Sequence, residues 1–495
     1  MAVSRFKWHW IAGGVAVAVF ALLLAFRLDI FDGVKKPSML SQGGSAAQGN
    51  QSFRDRESWM NISQNGRKIG YAHRRFYRTD KGYRLAESVA MSINTMGIVQ
   101  GIKFKTEGLL NPDMTLASFD FELRSSLFHF KARGVVNGRQ VTLYTEIPGS
   151  ETKTVIALKE TPHLANGLIE SAGVWTLEKN ETRMFHVFDP AAMGQRPVKI
   201  AFLGEETVTV MGLPQKARKV SVDFMGVKQF AWIGEDGDVL REKGILGISL
   251  EQVAKDEALS DVALASSADL TEMVSVPSGV VIDDPSALTF LRASITGIDT
   301  KSLDLHEDRQ IFQKNILHVH KESIPTKAHR ESAVSGNEEF LKAGPFIQSD
   351  HPKIQEKVRE LVSPEDPVAV KASKLVAWVY KSLEKRPVLS VPNALETLNN
   401  LVGDCNEHAV LLAALARAAG IPAQVEAGLV YQKGRFYYHA WNVLYLGTWV
   451  TADAVMGQMP ADVTHIRFVR GEADRQIDLM GVIGKVKLNV LEMSR

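Results

Sequence analysis

Residues 403–453 run GDCNEHAVLLAALARAAGIPAQVEAGLVYQKGRFYYHAWNVLYLGTWVTAD and hold the only cysteine of the 495-residue chain, Cys405. Asp404 is a good N-cap, because a short carboxylate can accept hydrogen bonds from the unpaired amides of a helix's first turn. Behind it Ala409, Leu411, Leu412, Leu415 and Ala419 belong to a run of helical type, which Gly420 and Pro422 stop. Cys405 therefore falls in the first turn of a helix, where free N–H groups and the positive dipole end favour a thiolate. The helix is apolar nearly all round, which predicts a central, buried element.

Beyond Pro422 the period changes. Residues 424–431 and 436–446 are rich in β-branched and aromatic side chains, with Lys433-Gly434-Arg435 as a turn between them. Gly447-Thr448 then precedes a third strand over 449–453. A three-residue loop at 446–448 sets Tyr445 opposite Trp449 and Trp441 opposite Asp453. His439 is then diagonal to Asp453 on the same face, about 7–8 Å away at Cα and within reach of a side-chain hydrogen bond. A slip of one residue would put the two on opposite faces.

Cys405, His439 and Asp453 read as a thiol nucleophile, its base and the group that orients the base. Asp404, Tyr437, Trp441 and His465 are the expected lining of the cleft. For Tyr437 and Trp441, which share the face of His439, plain core packing is the alternative. His408, one turn beyond Cys405, either tunes the thiol or packs the helix.

The order of cysteine on a helix, histidine on a strand and aspartate on the next strand resembles the transglutaminase-like superfamily of thiol enzymes. GDCNEHAVLLAALARAAGIPA is similar to its nucleophile helix, YHAWNV to its histidine strand and WVTAD to its aspartate strand; TADAVMGQMPADVTHIRF resembles the tail of bacterial members. The chain has Asp453-Ala454-Val455 where the family commonly has Asp-Pro-Thr, and Asn442 where an acidic residue is frequent. Neither change removes a triad member. The resemblance covers roughly the last third of the chain. It implies a papain-like α+β domain and acyl-transfer chemistry on amides, by hydrolysis or by transfer to an amine. That chemistry needs no cofactor.

At 495 residues the chain is too long for one core. Apolar residues make up 45% and charged residues 23%, as in folded proteins, and the net charge of +2 offers no electrostatic case for nucleic acid. Residues 10–26 carry no charge and are near the minimum for a tilted membrane span; Arg5, Lys7, Trp8 and Trp10 suit the cytoplasmic interface. Arg27, Lys35 and Lys36 follow, so the charge bias is small. A cleaved signal peptide is the rival reading, with Phe26, Arg27 and Leu28 poor candidates for a small-x-small site. The expectation is a single-pass inner-membrane protein with an anchor at 1–27, a linker at 28–52 and its catalytic domain outside the cytoplasm. Its partners would be the membrane, through that helix, and protein or peptide substrates of the cell envelope. A lone cysteine there has no disulfide partner, so its presence asks for a reason, the alternative being an inert buried thiol.

Hairpin signals at Asn65-Gly66, Asp80-Lys81-Gly82, Asn137-Gly138 and Asp236-Gly237 predict an antiparallel all-β domain over 53–275, in the form of a sheet or curved half-barrel. It is either a spacer or a module that binds a lipid, glycan or protein. Residues 276–345 form a connecting region of short strands and irregular chain. Its His318-Val319-His320 places two imidazoles on one strand face, but with no third ligand nearby no metal site is expected. From Pro352 helices return, at 354–362 and 368–383, and Asn393 with Glu396 caps another, so that 346–495 is the catalytic α+β domain. The fold class is thus multidomain: an N-terminal transmembrane helix, an antiparallel β domain and a transglutaminase-like domain. Two further readings are a binding scaffold with an idle triad, and a metal hydrolase built on His318 and His320.

Overall fold

The computed structural model describes residues 30–31, 55–147, 150–169, 172–191, 193–224, 227–260, 268–325 and 336–495. Most of the first half is one 16-stranded sheet. Arg56–Gln64 lies near its middle. On one side the chain meanders through Arg67–Thr79, Gly82–Thr95, Ile98–Leu110, Leu116–Ser125, His129–Asn137 and Gln140–Ile147 to Ser150–Ala157. On the other side Ile248–Val253 joins Arg56–Gln64, and the strands run back through Gly194–Val210 and Thr182–Asp189 to His163–Leu164. All these pairings are antiparallel except the last, His163–Leu164 on Val187 and Phe188. Gln64 faces Arg67 and Thr79 faces Gly82, so the Asn65-Gly66 and Asp80-Lys81-Gly82 signals do mark hairpin turns.

Alternation along the strands sends Ile62, Phe76, Leu85, Phe119 and Phe121 to one face, where they are buried. The segment carrying Leu164, Leu168, Val174 and Leu177 packs into that core. It comes so close that a Cβ on Gly108 would lie 2.6 Å from Cδ2 of Leu164.

The second half packs the helices Pro352–Leu361, Val368–Ser382 and Ala394–Asn400 against a central helix, Cys405–Ala418. Every residue from Cys405 to Arg417 is buried, as the all-round apolar pattern predicts. A five-stranded antiparallel sheet lies against it: Ala423–Gln432, Arg435–Tyr445, Trp449–Ala452, Ile466–Arg470 and the short Val276–Pro277. Residues 290–320 and the C-terminal strand Lys487–Ser494 build a third, four-stranded sheet.

No helix among the described residues is long and apolar enough to cross a membrane. This corrects the fold class and the location expected above. The architecture is a large all-β domain with an α+β domain, and the assignment to a single-pass inner-membrane protein is withdrawn. The apolar segment on which that assignment rested, with the anchor at 1–27, lies outside the described residues. So does the linker at 28–52, apart from Ile30–Phe31, which pair with Lys228 and Val227.

Candidate active site

The central helix starts at Asp404. Its carboxylate accepts the N–H of Asn406 at 3.0 Å, and Glu407 Oε2 accepts the N–H of Asp404 at 3.0 Å, a reciprocal capping box. The Ser390 hydroxyl donates to the other oxygen of Glu407. Cys405 is therefore held in the first helical turn, where the sequence places it.

The strand Arg435–Tyr445 pairs along one edge with Ala423–Gln432. Along its other edge Trp449–Ala452 covers only residues 442–445 and Val276–Pro277 only 435–436. Between them the edge has no strand partner among the described residues. The tip of the central helix meets that gap, where the backbone N–H of Ala440, the residue after His439, acts on the Cys405 thiol in the direction that favours its ionised form.

Tyr445 pairs with Trp449 and Asn442 with Ala452, the register set by the three-residue loop. In consequence His439 Nε2 donates to Asp453 Oδ2 at 2.7 Å. A carboxylate only accepts, so Nε2 carries the hydrogen and Nδ1 is left as the basic nitrogen. The second oxygen of Asp453 accepts the N–H groups of Val455 and Met456 at 2.6 and 3.0 Å.

A second imidazole reaches the same carboxylate. His465 Nε2 lies 2.9 Å from Asp453 Oδ2, and its Nδ1 lies 3.2 Å from the carbonyl of Asp462 and 3.4 Å from Asp462 Oδ1. Cys405, Asp453 and His465 are 0% exposed and His439 is 2% exposed, so all four act in a medium of low polarity. The donor atoms of His439, Asp453 and His465 lie within 4.8 Å of one another, close enough in principle for a metal ion. Tetrahedral zinc holds its ligands about 3.3 Å apart; the separations of 2.7 and 2.9 Å are hydrogen-bond lengths.

Burial pushes the Asp453 carboxyl up, but the charge and hydrogen bond of His439, and then those of His465, outweigh it and hold the group well below the carboxylate range. Burial pushes the Cys405 thiol well up, the Asp404 charge adds to the rise, and the Ala440 N–H opposes it. This corrects the expectation of a thiolate favoured by the helix start alone. The Asp404 carboxylate takes up the helix's amide charge, and no water reaches the sulfur to replace it. Asp404 is itself raised by burial and by Glu407.

The remaining expected residues fall out as follows. Trp441 is buried, donates its indole N–H to Glu426 at 2.7 Å, and meets the His465 ring edge-on with centroids 5.1 Å apart. Tyr437 is half-buried, its hydroxyl pKa raised by burial and by the charge of Glu272. His408 donates from Nδ1 to the Asp404 carbonyl at 2.6 Å, and burial lowers its pKa to about 4, so it packs the helix as a neutral ring. His318 and His320 are far along the chain from this cluster and lie against the ring of Phe290. Among the described residues they belong to no group of three potential metal donors.

Sequence reading missed Asp462 and Ser390. Asp462 had a local signal in Asp462-Val463-Thr464: its carboxylate accepts both the N–H and the hydroxyl of Thr464, a turn that short acidic residues commonly make. Ser390 had none. It lies in the segment 386–393, whose Val388, Leu389 and Val391 are buried and whose Val388 N–H points at Asp404 Oδ2 at 3.5 Å. The β domain holds this segment from outside. Phe128 packs with Val388 and Val402, and Gln100 donates to the carbonyl of Pro387 at 3.2 Å.

Residues 355–454 match the transglutaminase-like superfamily. A candidate cysteine protease from Cytophaga hutchinsonii is similar in structure at 17% identity and TM-score 0.27, over 42% of this chain and 86% of its own. The periplasmic domain of TgpA from Pseudomonas aeruginosa, bound to ethylmercury, is similar at 16% identity and TM-score 0.24, over 39% and 87%. A β-barrel-like protein with a domain of unknown function from Brucella abortus is similar at 10% identity and TM-score 0.31, over 40% and 95%. No curated protein matches the chain in sequence. The span 355–454, which carries Cys405, His439 and Asp453, is a transglutaminase-like domain.

Proposed function

We propose that the chain is a thiol acyl-transfer enzyme acting on amide bonds of proteins or peptides through Cys405, His439 and Asp453. The observation that carries the reading is the joint placement of sulfur and base. The Ala440 N–H favours the ionised form of Cys405, while the neighbouring His439 gives its Nε2 hydrogen to Asp453 at 2.7 Å and keeps Nδ1 free to take a proton.

In the first half-reaction the thiol proton passes to His439, and a bond forms between sulfur and the acyl carbon. His439 then returns the proton to the leaving amine as the C–N bond breaks, leaving a thioester. Asp453 supports the imidazolium in between. Water attacks the thioester with His439 again as base, releasing the acid and the thiol. Hydrolysis is favoured over transfer to an amine because water needs no acceptor pocket of its own.

A peptide library incubated with the full chain tests this by mass spectrometry. Cleaved amides and a thioester-linked enzyme are expected, both lost in Cys405→Ala and His439→Ala, with the products unchanged by an added primary amine. Cleavage that survives Cys405→Ala would sink the reading. One observation favours a second reading, a binding protein with an idle triad: the sulfur is wholly buried. Under that reading iodoacetamide reacts with Cys405 no faster in the wild type than in His439→Ala.

A further inference from the structure

The acyl-transfer reading leaves one buried imidazole unused. His465 lies 2.9 Å from the Asp453 oxygen that the proposed base meets at 2.7 Å, and its second nitrogen faces another acceptor. The carboxylate oxygen at Nε2 has no hydrogen to give, and neither has the Asp462 carbonyl at Nδ1. A neutral imidazole carries one N–H and could satisfy only one of them. The ring is wholly buried, so water cannot supply the missing hydrogen.

We propose that His465 is a positioning residue protonated throughout the neutral range, an imidazolium whose charge cancels that of Asp453 and so permits a thiolate at Cys405. The inference rests on the thiol-enzyme reading above.

The charges around the site show why a cation is needed. Asp404, Glu407 and Asp453 all act on the Cys405 sulfur in the direction that disfavours its ionisation. A thiolate would add another negative charge to this enclosed group. His465 is the cation hydrogen-bonded to Asp453 besides the base itself, and the charge of Asp462 sustains it. Burial lowers the His465 pKa, but the Asp462 charge and the hydrogen bond donated to Asp453 overcome this and carry it to about 9. Each group that faces the ring agrees with this state. His439 shares Asp453, with ring centroids 5.8 Å apart, and the Trp441 ring stands edge-on. Arg309 lies under the 461–465 turn, donating to the carbonyls of Ala461, Asp462 and His465, and Glu322 offsets its charge at 3.0 Å. Lys385 and His408 also act on Asp453 or on each other through charge, from the helix side.

Removing the His465 charge takes away the cation hydrogen-bonded to Asp453 and leaves less of the carboxylate's charge cancelled. A less balanced carboxylate disfavours the thiolate and favours the His439 imidazolium, so both limbs of the pH profile move to higher pH. An unbalanced charge at this distance shifts a pKa by about 1 unit or more.

The test uses the full chain. In protein labelled with nitrogen-15 at histidine, one ring should keep both nitrogens protonated at pH 8 and lose a proton only near pH 9, and its signals should vanish in His465→Gln. Cys405 alkylation by iodoacetamide, followed from pH 5 to 10, should shift alkaline by about 1 unit in His465→Gln. His465→Asn replaces it if the glutamine variant does not fold. No doubly protonated ring at pH 8 in the wild type overturns the inference and leaves the enzyme reading standing. A variant that is slower at every pH, with an unmoved profile, also overturns it, since His465 would then only pack. Wild-type alkylation that ignores His439→Ala takes down the enzyme reading itself, and this role for His465 with it.

Discussion

Asp453→Asn isolates the charge at the centre of the cluster. The aspartate's side-chain carboxylate accepts four hydrogen bonds: His439 at 2.7 Å, His465 at 2.9 Å, and the amides of Val455 and Met456 at 2.6 and 3.0 Å. Asparagine can keep its carbonyl on the two amides, but its NH2 then faces two imidazole N–H groups. Hydrogen bonds to charged groups contribute about 1.5–3 kcal/mol each, so losing two costs about 3–6 kcal/mol. That is a large fraction of the roughly 5–15 kcal/mol that holds a domain folded. The sign of the pH dependence follows from the folded-state pKa, which lies below the ordinary 3.8. A depressed carboxyl contributes its full stabilisation above that value and loses it progressively as pH falls further. Urea unfolding at pH 7 should therefore show the loss, and the gap between wild type and variant should narrow below pH 4. Where the variant stays folded, turnover should fall by about 10³–10⁴, because His439 no longer has its hydrogen fixed on Nε2. A variant within 1 kcal/mol of wild type at pH 7, with unchanged alkylation of Cys405, would refute an ionised Asp453 at the centre of the network.

Glu396 sits where the β domain meets the transglutaminase-like domain, accepting the His129 N–H at 3.3 Å and the Asn393 side chain at 2.9 Å, and burial raises its pKa to about 7. A raised carboxyl contributes stability below its unfolded value and loses it as pH climbs through 7. Glu396→Gln, which mimics the protonated form, should gain on the order of 3 kcal/mol over wild type at pH 8 and little at pH 4, read by urea midpoints. Phe128→Ala should cost about 3 kcal/mol by emptying the contact with Val388 and Val402. By loosening segment 386–393 it should also speed Cys405 alkylation. Gly403→Ala would set a Cβ 2.3 Å from that of Glu407, and loss of the capping box should cost about 1–2 kcal/mol in thermal or urea unfolding.

Much of the site was legible in local chemistry. Asp404 and Gly420 bracket a helix because caps and stops act within a few residues, and the helix runs Cys405–Ala418. The loop at 446–448 was enough to bring His439 and Asp453 to one face, since a short hairpin determines its own register. The same locality made the strand turns of the β domain readable.

What no window of sequence could show is how segments distant in the chain share one buried volume. His465 looked like a cleft-lining residue, but the fold of 453–466 returns it to the carboxylate that already serves His439. The helix start looked like a place for a thiolate, but burial and three carboxylates reverse the sign. Residues 276–345 read as a connector with short strands, and the partner of the first of them, Phe290–Thr296, is the distant C-terminal strand Lys487–Ser494. The sequence by itself determined which residues stand as the candidate nucleophile, base and orienting carboxylate, because those follow from residue type and near-neighbour geometry. Only the tertiary structure decided their charge states, because ionisation depends on every charge, hydrogen bond and excluded water within a few ångströms, whichever part of the chain supplies them.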